Sequence, residues 1–169
     1  IVASYVGRPK TQDEYNRNLF MLADYYNAKI GFENDRGELI AYAKRYRKLH
    51  KLQEEFEMLD KRELRSRNVK RQYGMHMTEQ RKRQGELYIR DWLITPRHTD
   101  EDGNVTLNLH KIYDPALLQE LIKFNHKGNF DRVMSLMIGM YHTRELYNRE
   151  VVEILEDRST DDWFDRNYR

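Results

Sequence analysis

The chain has 169 residues, 39% hydrophobic and 34% charged, with a net charge of +2. That length supports one domain with its own core, and the near-balanced charge excludes a uniformly basic protein while leaving room for local basic patches. There is no cysteine, which excludes disulfides, zinc-thiolate sites and thiol catalysis and fits a reducing compartment.

Residues 1–7 read as a strand that ends at Gly7-Arg8-Pro9. They are too short and too uncharged for a signal peptide. With no initiator Met before them, the chain is expected to be a piece of a longer protein. Thr11-Gln12-Asp13-Glu14 is a capping box that opens a helix over about 12–28, with Tyr15, Leu19, Leu22 and Tyr26 as its apolar face. Lys29 to Phe32 is short and apolar, like a buried parallel strand. Strand, helix and strand make a crossover unit.

A second helix is expected from Gly37 to about His50, with Leu39, Tyr42, Tyr46 and Leu49 inward and Lys44, Arg45, Arg47 and Lys48 outward. Residues 51–72 are highly charged. Tyr73 to Met77 suits a further strand. Thr78 caps a helix running through Ile94, with Arg81, Lys82 and Arg83 near its start. Asp102-Gly103-Asn104 suits a hairpin tip. Asp114-Pro115 is an N-cap followed by a first-turn proline. The last main helix follows Gly128-Asn129 and buries Val133, Leu136, Met137, Met140 and Tyr141. The expected division is a domain over 1–155 and a tail over 156–169. Alternating strands and helices argue α/β. No apolar run approaches ~20 residues, so no membrane span is expected.

Two acids carry the chemistry. Glu33 ends the apolar run Ile30-Gly31-Phe32, and ligands of α/β sheets gather at such carboxyl ends. Asp131 opens the strongly apolar last helix. A strand-end acid and a helix-start acid can converge on two hard cations. Each also has a plain structural reading. Glu33 can pair with Arg36 or Lys29 at the surface, and Asp131 can serve the helix macrodipole alone. Asp35 reads as a turn residue.

The two basic groups, Lys44, Arg45, Arg47 and Lys48, and Arg81, Lys82 and Arg83, read either as solvated faces or as contacts to a polyanion such as DNA. The six histidines show no metal-ligand spacing. No G-x-S-x-G elbow and no P-loop is present.

Ser4-Tyr5-Val6-Gly7-Arg8-Pro9, Ala23-Asp24-Tyr25-Tyr26-Asn27-Ala28, Gly31-Phe32-Glu33-Asn34-Asp35-Arg36-Gly37 and Asn129-Phe130-Asp131-Arg132-Val133-Met134-Ser135-Leu136 carry a resemblance over most of 1–146. There the chain resembles the C-terminal nuclease domain of tailed-bacteriophage terminase large subunits, the DNA-packaging motors. The resemblance implies an RNase H-like mixed sheet flanked by helices, with its first strand missing here. It implies a Mg²⁺- or Mn²⁺-dependent endonuclease that cuts concatemeric double-stranded DNA in the host cell cytoplasm. The family's strand acid maps to Glu33 and its late helix-start acid to Asp131. Partners implied are an ATPase domain, a portal and a small terminase subunit.

The chain departs from the family's pattern in two places. The family's first metal-binding Asp lies on a strand preceding the segment that resembles 1–6. Phe130 stands where many members carry a second Asp. Two other functions remain open: a non-catalytic DNA-binding or motor-docking module, and an RNase H-like resolvase or integrase.

Overall fold

The computed structural model describes residue 1 and residues 3–34, 37–55, 73–125 and 128–148. Asp35, most of the charged run over 51–72 and the tail after 155 lie outside the described residues.

Helix α1 spans Gln12–Tyr25, and its N-cap Thr11 accepts from the Glu14 amide at 3.2 Å. Its buried residues are Asn16, Phe20 and Ala23. That corrects the expected stripe by one register position, because Tyr26 lies past the helix and is 45% exposed. α2 spans Glu38–Arg45 and buries Tyr42 and Ala43. It stops five residues short of the expected end. A turn follows, then a short 3-10 segment over Leu49–Lys51.

α3 spans Glu79–Ile94, with the Thr78 hydroxyl accepting from the Arg81 amide at 3.3 Å. Strands β1 (Pro96–Thr99) and β2 (Val105–Leu107) form an antiparallel hairpin. Its tip is closed by the Asp100 carboxylate, which accepts from the Asn104 amide at 2.7 Å. α4 spans Pro115–Lys123, and the Asp114 carboxylate accepts from Ala116 and Leu117. α5 covers 131–148 among the described residues. Mixed helix and strand agree with the general α/β class.

Among the described residues, the expected first strand is not there. Residues 3–9 are in no strand, and Val6 is 64% exposed. Side chains hold the segment instead of a backbone ladder. The Ser4 hydroxyl donates to Asp114 at 3.1 Å, Asn18 donates to the Tyr5 hydroxyl at 3.2 Å, and the Tyr5 ring lies 6.1 Å from that of Tyr15. With no neighbour supplying ladder partners, an apolar alternating pattern is insufficient to make a strand. The stretch around Glu33 is extended but makes isolated pairings only: Ile30 parallel to Leu52, and Glu33 parallel to Met75.

Two cores flank this stretch. One gathers Phe20, Ala23, Ile30, Tyr42, Ala43 and Leu52. The larger one is built on α5, whose Val133, Leu136, Met137, Met140 and Tyr141 are all buried as the heptad-like spacing predicts. α3 approaches α5 at Gly85. A Cβ there would lie 2.2 Å from Met137 Cγ, so only glycine lets the helices come this close.

Candidate functional site

Where the two cores meet, the surface opens into a cleft of about 580 Å³. Its walls come from α1, the extended stretch 30–33, the start of α2 and the first turns of α5. Glu33 and Asp131 both line it, although they lie far apart in sequence. Glu38, Lys82 and Asn16 line it as well.

Each acid arrives there for a local reason. Met75 fixes the Glu33 backbone: its amide donates to the Phe32 carbonyl at 2.9 Å, and its carbonyl accepts from the Asn34 amide at 3.0 Å. The Asn34 side chain adds a bond to the Tyr73 carbonyl at 2.9 Å. Gly31 lets the stretch press against α5, since a Cβ would lie 3.0 Å from Ile138 Cγ2. Glu33 is exposed at the end of that run.

Asp131 sits in the first turn of α5, also exposed. The residue before it, Phe130, has an apolar side chain and cannot cap. The cap comes from α4: Glu120 accepts from the Arg132 amide at 3.0 Å and from the Arg132 guanidinium at 2.7 Å. The buried Arg132 Nε faces the Asp114 carboxylate at 3.9 Å, an ion pair too long for a hydrogen bond. The Asp114 carboxyl is held below the usual carboxylate range. The Leu117 amide is the main cause, and burial opposes it.

The basic residues divide differently from the expectation. Lys44, Arg45, Arg47 and Lys48 do not share one helical face, because α2 ends at Arg45 and Arg47 has a φ of +56°. Arg45 pairs with Asp13 at 3.3 Å, and Lys48 with Asp24 at 2.7 Å. Lys44 and Arg47 are exposed. Arg81 has a side chain only 12% exposed; it lies 3.7 Å from Glu55 and donates to the His76 carbonyl at 2.7 Å. Lys82 reaches Glu79 at 3.3 Å on the cleft wall, and Arg83 is exposed.

Carboxylates on one cleft are hard oxygen donors, the kind that suit Mg²⁺ or Mn²⁺. Among the described residues, no three of His, Cys, Asp and Glu gather as a metal-holding group. Sequence reasoning missed Glu38, Asn16 and the positioning role of Glu120. Glu38 has a sequence signal in its place right after the Gly37 turn. Asn16 and Glu120 have none, since their places depend on how α1 and α4 pack.

Among the described residues, no helix is long and apolar enough to cross a membrane. No family model, curated protein or solved structure matches the chain.

Proposed function

We propose that this chain is a metal-dependent DNA endonuclease domain of the kind found in viral genome-packaging terminases, on an RNase H-like plan. The observation that supports it is the shared cleft of Glu33 and Asp131. Glu33 and Asp131 would hold Mg²⁺ or Mn²⁺. Such ions, when bound, supply water activation and charge neutralisation at a scissile phosphate. The remaining roles belong to the chain itself. Glu120 keeps the first turn of α5 in place through Arg132. Met75 keeps the Glu33 stretch extended. Lys82 brings positive charge to the cleft wall, where a phosphodiester would lie. Duplex DNA is the proposed substrate, in the host cytoplasm, with an ATPase domain, portal and small subunit as partners.

The test has two arms. Calorimetry of the chain with Mn²⁺ reads binding directly; weak binding is expected, and Glu33→Ala or Asp131→Ala should remove it. Plasmid cleavage is read in a chain extended upstream by the Asp-bearing strand that the resemblance implies. There, cleavage should need Mn²⁺ or Mg²⁺ and both acids. Equal cleavage with both acids replaced would overturn the two-metal reading.

A second reading rests on the plain local role open to Asp131, which stands in the first turn of α5 where the helix dipole favours a carboxylate. In it the chain is a non-catalytic DNA-binding or motor-docking module, and Glu33 and Asp131 are structural. Duplex binding that ignores both Mn²⁺ and the two alanine substitutions would favour it.

A further inference from the structure

The C-terminal ends of α1 and α2 form a corner that does not line the acidic cleft. Each helix leads into a turn with one left-handed residue: Asn27 at φ +46° and Arg47 at φ +56°. Among the described residues, these are the two non-glycine residues with positive φ. Asparagine takes that conformation readily, whereas arginine seldom does. Unfavourable backbone that the surroundings hold in place tends to mark functional surfaces.

The surroundings do hold it. The Arg47 amide donates to the Lys44 carbonyl at 3.2 Å, and the Lys48 amide to the Ala43 carbonyl at 2.7 Å. The Lys48 and Lys51 ammonium groups both reach Asp24, at 2.7 and 3.4 Å. Lys29 donates to the His50 carbonyl. Asp24 is thereby kept charged, its carboxyl lowered chiefly by the Lys48 hydrogen bond.

Aromatic rings rise out of this corner. Buried Phe20 stacks on Tyr42 at 5.5 Å, and Tyr42 lies 4.5 Å from Tyr46. Tyr46 is 50% exposed, so it is the outer ring of a column rooted in the core. Next to Asp24 in sequence, at the end of α1, Tyr25 is 81% exposed and stands edge-on to Tyr26 at 4.9 Å. Lys44 and Arg47 are exposed beside Tyr46 in sequence.

Exposed rings on a rigid support, edged with cations, match the chemistry of unstacked bases on a phosphate backbone. A duplex hides its base faces in the stack and could use only the cations. We propose that this corner binds single-stranded nucleic acid, with Tyr46 and Tyr25 stacking on bases and Lys44 and Arg47 taking the flanking phosphates. The surface uses neither acid of the cleft, so it goes beyond the endonuclease reading and stands or falls apart from it.

The test is fluorescence anisotropy on the whole chain in EDTA, with a labelled oligothymidylate of about 15 nucleotides against a duplex of the same length. The oligothymidylate should bind roughly 10-fold more tightly than the duplex at low salt. Tyr46→Ala and Tyr25→Ala should each weaken that binding about 10-fold and leave duplex binding within about 2-fold, while Tyr46→Phe retains it. Lys44→Gln and Arg47→Gln should each flatten the salt dependence by about 0.7 in log–log slope. Circular dichroism checks that each variant is folded. Equal affinity for both nucleic acids, no detectable binding, or indifference to both tyrosine substitutions would overturn the proposal. EDTA silences any metal chemistry, so these affinities are read without the ions proposed for the cleft, which separates failure here from failure there.

Discussion

Gly31 lies against Ile138 so closely that a Cβ at position 31 would be 3.0 Å from Ile138 Cγ2. This contact joins the stretch that ends in Glu33 to the helix that begins at Asp131. We expect Gly31→Val to overpack it at a cost of about 1–3 kcal/mol and to weaken Mn²⁺ binding. Ile138→Ala is itself destabilising but removes the group that a valine at 31 would meet, so the double variant should lose roughly 1 kcal/mol less than the sum of the two single variants in a double-mutant cycle by urea denaturation. Strict additivity would show that the two residues do not press on each other.

At Gly85 two effects oppose. Alanine in a helix interior is favoured over glycine by about 1 kcal/mol. The added Cβ would meet Met137 Cγ at 2.2 Å, and overpacking of this kind costs about 1–3 kcal/mol. The steric term wins, so Gly85→Ala should lower stability by roughly 1 kcal/mol net. A rise in melting temperature would mean that Met137 swings aside freely.

Glu120→Ala removes the acceptor for both the amide and the guanidinium of Arg132. Hydrogen bonds to charged groups contribute about 1.5–3 kcal/mol, and loss in that range is expected. Glu120→Gln keeps an acceptor for the amide and should fall between. Hydrogen exchange should show the first turn of α5 opening more often in the alanine variant, and no change there would refute the capping role.

Burial raises the Tyr141 hydroxyl to about 12, with Tyr88 adding to the shift and Arg81 opposing it; the hydroxyl donates to the Arg81 carbonyl at 2.8 Å. The folded state thus holds this proton more firmly than the unfolded state does. Its contribution to stability is complete below about pH 10 and is lost as pH rises through about 12. Of the chain's 12 tyrosines, this one should ionise late in an absorbance titration, and Tyr141→Phe should flatten the alkaline decline. An unaltered decline in that variant would assign it to other groups.

Caps and turns were the most legible part of the sequence. Thr11, Thr78 and Asp114 each mark a helix start that the structure bears out, because a capping side chain bonds within its own few residues. The hairpin tip at Asp102-Gly103-Asn104 and the buried stripe of α5 were legible for the same local reason. Strand 1–7 was not, since a strand depends on a partner that no local pattern supplies. The end of α2 was misjudged because Tyr46 continues an apolar spacing that the backbone abandons at Arg45. Arg81 looked like a surface cation but is engaged by Glu55 and the His76 carbonyl, neither of which its neighbours in sequence reveal. Glu33 and Asp131 could be named from sequence, and their common cleft could only be expected.

The pairing of Glu33 with Met75 has a kinetic consequence. Its neighbour bond, Asn34 to the Tyr73 carbonyl, joins residues 39 positions apart. A loop of that length must close before the stretch gains any of its partners, and non-local closures slow folding. Helices α1, α3 and α5 can nucleate from neighbouring residues alone. The cleft therefore belongs to the late phase of folding: a refolding chain should regain its helical signal before it regains the Mn²⁺ affinity proposed for the cleft.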